Sequence, residues 1–217
     1  MACLARYMKE SMLDTIQLKL RLNSVYRTGT KKPLFITGHS KGGPMASYAA
    51  YELTKAGFPV QTVDTFASPH PGDKEFANGY HHVVKKQFRY ENDLDIVPFL
   101  PPTPLEADPI LAIIDVALYF TNNRACSEIH EKLKELKSGV EEAKQWDYSP
   151  VGILKFITAH DQIVPDSPDL WLHRLDDFSK DFWDNGIEKG FEKIAHAHSC
   201  GCDGGYQKGV APGVCSC

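Results

Sequence analysis

At 217 residues and 24.3 kDa, the chain suits one domain, with two small ones as the other option. Hydrophobic residues at 42% and charged residues at 24% are ordinary for a globular fold and argue against intrinsic disorder. Twenty-four Lys+Arg against 28 Asp+Glu leave a net charge of −4, scattered along the chain, which argues against nucleic-acid binding through a broad cationic face.

Residues 3–26 read as an amphipathic helix, with Leu4, Met8, Met12, Leu13, Ile16 and Leu20 at mostly three- and four-residue steps. Arg6, Lys9, Glu10, Asp14 and Lys19 interrupt this stretch, so it holds no secretory apolar region. A soluble, cytoplasmic protein is expected, with secretion left open should a leader have been removed. Pro33–Thr37 is a short apolar run without alternation, the pattern of a strand buried on both faces. A helix follows over about 43–56, with Met45, Ala46, Ala49, Ala50 and Leu53 on its buried stripe and Gly57 at its cap.

Val60–Phe66 is strand-like and closes on the turn Ser68-Pro69-His70-Pro71-Gly72. A short helix over 74–80 leads to a third strand, 83–90. Helical patterns follow over 108–121 and 127–146, then a fourth strand over 151–158 and a polar helical stretch over 170–197. Strands alternating with helices imply an α/β fold, a mainly parallel sheet flanked by helices. The apolar run Ile110–Phe120 is broken by Asp115 and is shorter than the roughly 18 residues of a membrane span.

Between the first strand and its helix stands Gly38-His39-Ser40-Lys41-Gly42, a G-x-S-x-G. Alone the motif is weak, arising by chance about once in fifteen chains of this length. Here a buried strand runs into it and a small-residue helix runs out, the setting of a strained turn that exposes a nucleophilic serine. The backbone N–H of Lys41 then lies at a helix N-terminus, placed to stabilise an oxyanion.

A serine nucleophile needs a base, and the base an orienting acid. Asp93 and Asp95 both follow the third strand, and periodicity does not choose between them. Of nine histidines, His160 after the fourth strand and His198 before a glycine cluster rank equally as base. His39 is expected to point away from the serine, His70 precedes the acid in chain order, and His81, His82, His130 and His173 are expected to be solvated.

Leu34–Gly43 resembles the nucleophile segment of the class 3 lipases, the fungal triacylglycerol lipase-like branch of the α/β-hydrolases. Thr65-Phe66-Ala67-Ser68-Pro69-His70 resembles the strand and turn that follow there. Asn92-Asp93-Leu94-Asp95-Ile96-Val97-Pro98-Phe99-Leu100-Pro101-Pro102 is similar to that family's D-I-V-P-x-L-P-P segment, whose aspartate is the triad acid. Ala197-His198-Ser199 with Gly204-Gly205-Tyr206 resembles its terminal histidine segment. The resemblance implies a catalytic triad of Ser40, Asp95 and His198, with Lys41 N–H as an oxyanion donor. It implies lipase or esterase chemistry on a lipid or small ester, without cofactor or metal ion.

Two features depart from the family pattern. Lys41 replaces the common leucine, and the chain ahead of Leu34 is short where the family places several strands and an oxyanion-donating loop. The competing expectation is accordingly a non-catalytic or truncated hydrolase-derived binding protein. A bare sheet edge there makes a homodimer a further expectation.

The whole chain, 1–217, is expected to form one α/β-hydrolase-like domain. Its insert at about 103–148 is a helical cap, either a water-excluding lid or a static hairpin. Cys200, Cys202, Cys215 and Cys217 form C-G-C and C-S-C pairs, open to zinc, disulfides or free thiols.

Overall fold

The computed structural model describes residues 33–121, 127–167, 170, 174, 176–177, 180, 189, 192–202 and 204–211. The expected helix over 3–26, most of the stretch over 170–197, His173, and Cys3, Cys126, Cys215 and Cys217 lie outside the described residues.

A mainly parallel sheet organises the chain. Strand β1 (Leu34–His39) leads through helix α1 (Gly42–Lys55) to β2 (Val60–Phe66). A two-residue strand β3 (Gly72–Asp73) opens helix α2 (Lys74–Val83), and β4 (Gln87–Asn92) follows. After a helical insert come the short β5 (Tyr148–Ser149), then β6 (Ile153–Ile157) and β7 (Ile163–Pro165). The sheet order is β1-β2-β4-β6-β7, parallel except where β7 returns against β6, and β3 pairs with β5 apart from it. Neither β7 nor the β3–β5 pair is visible in the sequence pattern, because runs this short carry no periodicity.

Helix α1 buries Gly43, Ala46, Ala49, Ala50 and Leu53. Small side chains bring its axis close to the sheet, where Ala46 and Ala50 pack with Val63, Ala77, Tyr80 and Val84. The helix ends where expected, with Gly57 at φ 78° donating to the Thr54 carbonyl. Met45, expected on the buried stripe, is 41% exposed, one position off the packed face.

Helix α2 outruns its expected end at residue 80. Asp73 caps its start by accepting the Phe76 N–H at 2.8 Å, and Val84 turns extended into the core at its end. The valines expected to open a strand close a helix instead, and β4 begins at Gln87.

Among the described residues, only one sheet face is covered along the full length of β1. Ile36 and Val63 meet the helices, whereas Phe35 is 69% exposed and Ile153 is 58% exposed. Burial therefore alternates along β1, correcting the expectation of a strand buried on both faces. The opposite face is covered near the strands' carboxyl ends, where Tyr206 packs with Ile157, Ala67, Phe66 and Tyr90.

The insert consists of α3 (Pro104–Thr121) and α4 (Ser127–Ala143), packed on each other through Ala107, Ile114, Leu133 and Val140. Helix α3 begins four residues before its expected start because Thr103 and Glu106 form a reciprocal capping box with Pro104 at the first turn. His130 is half-buried rather than solvated, its Nδ1 lying 3.1 Å from Thr121 Oγ1.

Under β4, Glu91 is buried between Arg89 at 2.8 Å and Arg174 at 2.5 Å. Burial alone would raise its pKa, but the two guanidinium groups outweigh it and hold the carboxyl below its usual value.

Candidate active site

The turn that carries Ser40 is built by steric exclusion and two hydrogen bonds. Ser40 adopts φ 54°, a left-handed backbone that a non-glycine residue seldom takes without a reason. Its N–H donates to the Phe66 carbonyl at 2.9 Å, and its own carbonyl accepts the Gly43 N–H at 2.8 Å. The turn is thus pinned to β2 on one side and to the first turn of α1 on the other.

The flanking glycines leave the room this requires. A Cβ on Gly38 would stand 2.1 Å from the Gly42 carbonyl oxygen, and one on Gly43 would stand 2.4 Å from Ser68 Cβ. Gly42, the last residue of the motif, has open space around the same position. Gly38→Ala is therefore expected to cost about 3 kcal/mol or more, whereas Gly42→Ala leaves thermal stability nearly unchanged. Equal melting temperatures for the two variants would overturn this account of the turn.

Lys41 is the helix N-cap residue, with αR backbone and an exposed side chain. The N–H groups at a helix start lack intrahelical acceptors, so Lys41 N–H is the donor that this turn can offer an oxyanion. The Ser40 N–H is already committed to β2.

Three residues far apart in sequence meet at the carboxyl end of the sheet. His198 Nε2 lies 3.0 Å from Ser40 Oγ, and its Nδ1 lies 3.1 Å from each carboxylate oxygen of Asp95. Asp95 is fully buried and also accepts the Val97 N–H at 2.9 Å and the Tyr206 hydroxyl at 2.7 Å. The carboxylate that reaches His198 is thus that of Asp95. Asp93 is half-buried, and its N–H donates to Asn92 Oδ1.

The other histidines lie elsewhere. His160 sits in the exposed turn between β6 and β7, and His196 is exposed. His70 is buried with Nδ1 2.7 Å from the Pro101 carbonyl, and burial pushes its pKa down. His81 Nε2 accepts the Gly152 N–H at 3.2 Å, and burial lowers its pKa too. His39 turns its ring toward the base segment, with Nε2 2.7 Å from the His198 carbonyl oxygen.

Two residues to which sequence reasoning gave no role complete the cluster. Tyr206 donates to Asp95 while accepting the Asn92 N–H at 3.0 Å. Burial, reinforced by the neighbouring Asp95 charge, raises its pKa well above the usual value, which keeps the hydroxyl a donor. Asn92 Nδ2 donates to the carbonyls of Ala197 at 2.9 Å and Gly204 at 2.8 Å, tying β4 to the segment that carries His198. Both lie inside recognised segments, Asn92 before Asp95 and Tyr206 after His198, yet only the folded contacts distinguish them from ordinary turn residues.

Tyr206→Phe leaves the buried Asn92 N–H and one Asp95 oxygen short of a partner. A loss of about 1–3 kcal/mol in chemical denaturation is expected, the cost of unpaired buried polar groups. Unchanged stability would show that water replaces the hydroxyl without penalty.

Cys202 is disulfide-bonded and Cys200 is free and exposed, so Cys202 is not available as a thiolate ligand for zinc. Among the described residues, no group of three or more His, Cys, Asp or Glu could hold a metal ion, and no helix is long and apolar enough to cross a membrane.

Residues 3–105 match the family model described as lipase (class 3). A protein of Fusarium solani named secreted mono- and diacylglycerol lipase 1 is 41% identical over 76 residues, covering 34% of this chain and 22% of that one. Lipase ZK262.3 of Caenorhabditis elegans is 35% identical over 71 residues, covering 31% of this chain and 20% of that one. The chain thus spans about a fifth of the length of these curated relatives. Among solved structures, that of M37 lipase is similar at a TM-score of 0.47 and 24% identity, covering 63% of this chain and 39% of that one.

Proposed function

We propose, from the match of residues 3–105 to the class 3 lipase family, that the chain is a serine carboxylic-ester hydrolase working through Ser40, His198 and Asp95. The observation that carries this reading is the continuous chain of contacts Ser40 Oγ–His198 Nε2 and His198 Nδ1–Asp95, at 3.0 and 3.1 Å. These lie within hydrogen-bond reach, in the order of roles that a nucleophile, a base and its orienting acid require.

In the proposed mechanism Ser40 Oγ attacks the ester carbonyl carbon as His198 Nε2 takes its proton. The carbonyl π-electrons move to oxygen, and Lys41 N–H donates to the oxyanion formed. Collapse of the tetrahedral intermediate breaks the C–O bond, and the imidazolium returns its proton to the departing alcohol. Water then attacks the acyl-enzyme with His198 again as base, releasing the acid and restoring Ser40. Asp95 keeps Nδ1 protonated, leaves Nε2 free to accept, and stabilises the imidazolium.

The substrate class proposed is an acylglycerol or a smaller ester, in keeping with the mono- and diacylglycerol named for the Fusarium relative. The disulfide at Cys202 fits an oxidising compartment better than the cytoplasmic location expected from the sequence, and that relative is named as secreted.

The insert α3–α4 is proposed as a cap over the acyl site. It holds its own apolar core, yet leaves Leu105 80% and Tyr119 79% exposed. Deleting 105–145 is expected to change the acyl chain-length preference, measured across a series of nitrophenyl esters. An unchanged preference in a soluble deletion variant would leave the hairpin a purely structural element.

The decisive experiment for the function is fluorophosphonate labelling alongside nitrophenyl ester hydrolysis. Labelling at Ser40 together with turnover is the expected result. Labelling without turnover would point to an incomplete oxyanion hole, and the absence of both would favour the non-catalytic alternative.

A further inference from the structure

His39 precedes the candidate nucleophile, and its ring occupies the space beneath the candidate base. Its Nε2 stands 2.7 Å from the backbone carbonyl oxygen of His198, and the two imidazoles are 5.0 Å apart at 43°. Tyr206 meets the same ring edge-on at 6.0 Å. A ring nitrogen facing a carbonyl oxygen can form this bond only as a donor, so Nε2 carries a proton. We propose that His39 is a positioning residue for His198, fixing the main chain of the base to the strand that carries the nucleophile. This rests on the functional reading above, for which it supplies a specific means of alignment.

The geometry makes the arrangement effective. Ser40 Oγ contacts the His198 ring, while the residue before it holds the His198 carbonyl. One dipeptide of β1 and its turn therefore grips His198 at two points, ring and backbone. The third point is supplied from β4, where Asn92 holds the carbonyl of Ala197, one residue before the base. His198 itself lies at the end of the helical segment 192–198, followed by a bend and glycines, where the backbone has least support of its own. Without the His39 bond the His198 carbonyl, at the last residue of that helix, loses its tie to β1. Misplacement of about 1 Å at a reacting group can cost about 100-fold in rate.

Three variants separate this role from simple packing. His39→Phe keeps the ring and removes the donor. His39→Gln keeps a donor on a side chain of similar reach, and His39→Ala removes both. With rates normalised to the fraction of Ser40 that reacts with a fluorophosphonate, His39→Phe is expected to lose about 10- to 100-fold in kcat with KM within about twofold. His39→Gln is expected to recover to within about fivefold of the parent. A filler role predicts the reverse order, with Phe tolerated and Gln impaired, and that order would overturn the proposal. So would equal rates for all three.

A second measurement does not depend on hydrolysis. Nitrogen-15 NMR of the His198 imidazole should show loss of a single ring environment in His39→Phe, with restoration in His39→Gln. If the parent protein cleaves no ester yet the NMR pattern holds, the functional reading fails and the positioning role stands. If ester cleavage is normal and the His198 signals of His39→Phe match the parent, the positioning role fails alone.

Discussion

Ser40→Ala is expected to abolish hydrolysis of nitrophenyl esters, with a fall in kcat of about 10⁶-fold by analogy with serine hydrolases that lose their nucleophile. The reason is local. Alanine keeps the turn's Phe66 and Gly43 backbone bonds and removes only the oxygen that faces His198 Nε2. Folding should survive, because Ser40 is only half-buried and its Oγ contact is with a ring that keeps its other partner, Asp95. The measurements are residual kcat, fluorophosphonate incorporation and the melting temperature. A variant that retains even a hundredth of the parent rate at unchanged stability would remove Ser40 from the mechanism.

Asp95→Asn should follow at about 10⁴-fold in kcat. Asp95 is fully buried and accepts from Val97 N–H, Tyr206 O–H and His198 Nδ1. A carboxylate meets three donors without conflict, whereas an amide offers one oxygen and presents an NH₂ on its other side. Whichever donor faces that NH₂ loses its partner. When it is His198, Nδ1 must become the acceptor, which moves the ring proton to Nε2, the nitrogen that has to receive the Ser40 proton. The base is then present in the wrong tautomer. Asp93→Asn is the control, since the contact to His198 Nδ1 is made by Asp95; it should stay within a few-fold of the parent. Equal losses for the two variants would mean that charge near the site, and not the bond to Nδ1, supports the rate.

The sequence showed the nucleophile turn most clearly, because everything that makes it is local. A short apolar strand, glycines at 38, 42 and 43, and a small-residue helix are contiguous, and sterics leave such a stretch few conformations. Asp95 and His198 could not be found this way. Periodicity left Asp93 level with Asp95 and His160 level with His198, and only the resemblance separated them. What divides each pair is burial and direction, which arise from β4, β6 and the Tyr206 segment packing across more than a hundred residues of chain. His39 illustrates the same limit: its neighbours in sequence gave no hint that its partner would be a carbonyl 159 positions away. The short strands β3, β5 and β7 escaped for another reason, being two or three residues long, below the length at which alternation is a signal. The early end assigned to α2 came from treating Val83 and Val84 as strand formers, when their contacts with the core make them the helix's last turn and its stop.

Under the proposed mechanism, the separation of 158 residues between Ser40 and His198 has a consequence for how the chain would acquire reactivity as it is made. The turn around Ser40 closes against β2, within about thirty residues, so it can form while synthesis is far from finished. The acid enters with β4. The base arrives only after β6 and β7 have been added and the Asn92 amide has captured the arriving loop. A nascent chain holding Ser40 and Asp95 but not yet residue 198 would present a formed but inert hydroxyl. Reactivity toward a fluorophosphonate would then switch on late, which makes it a chemical clock for completion of the fold.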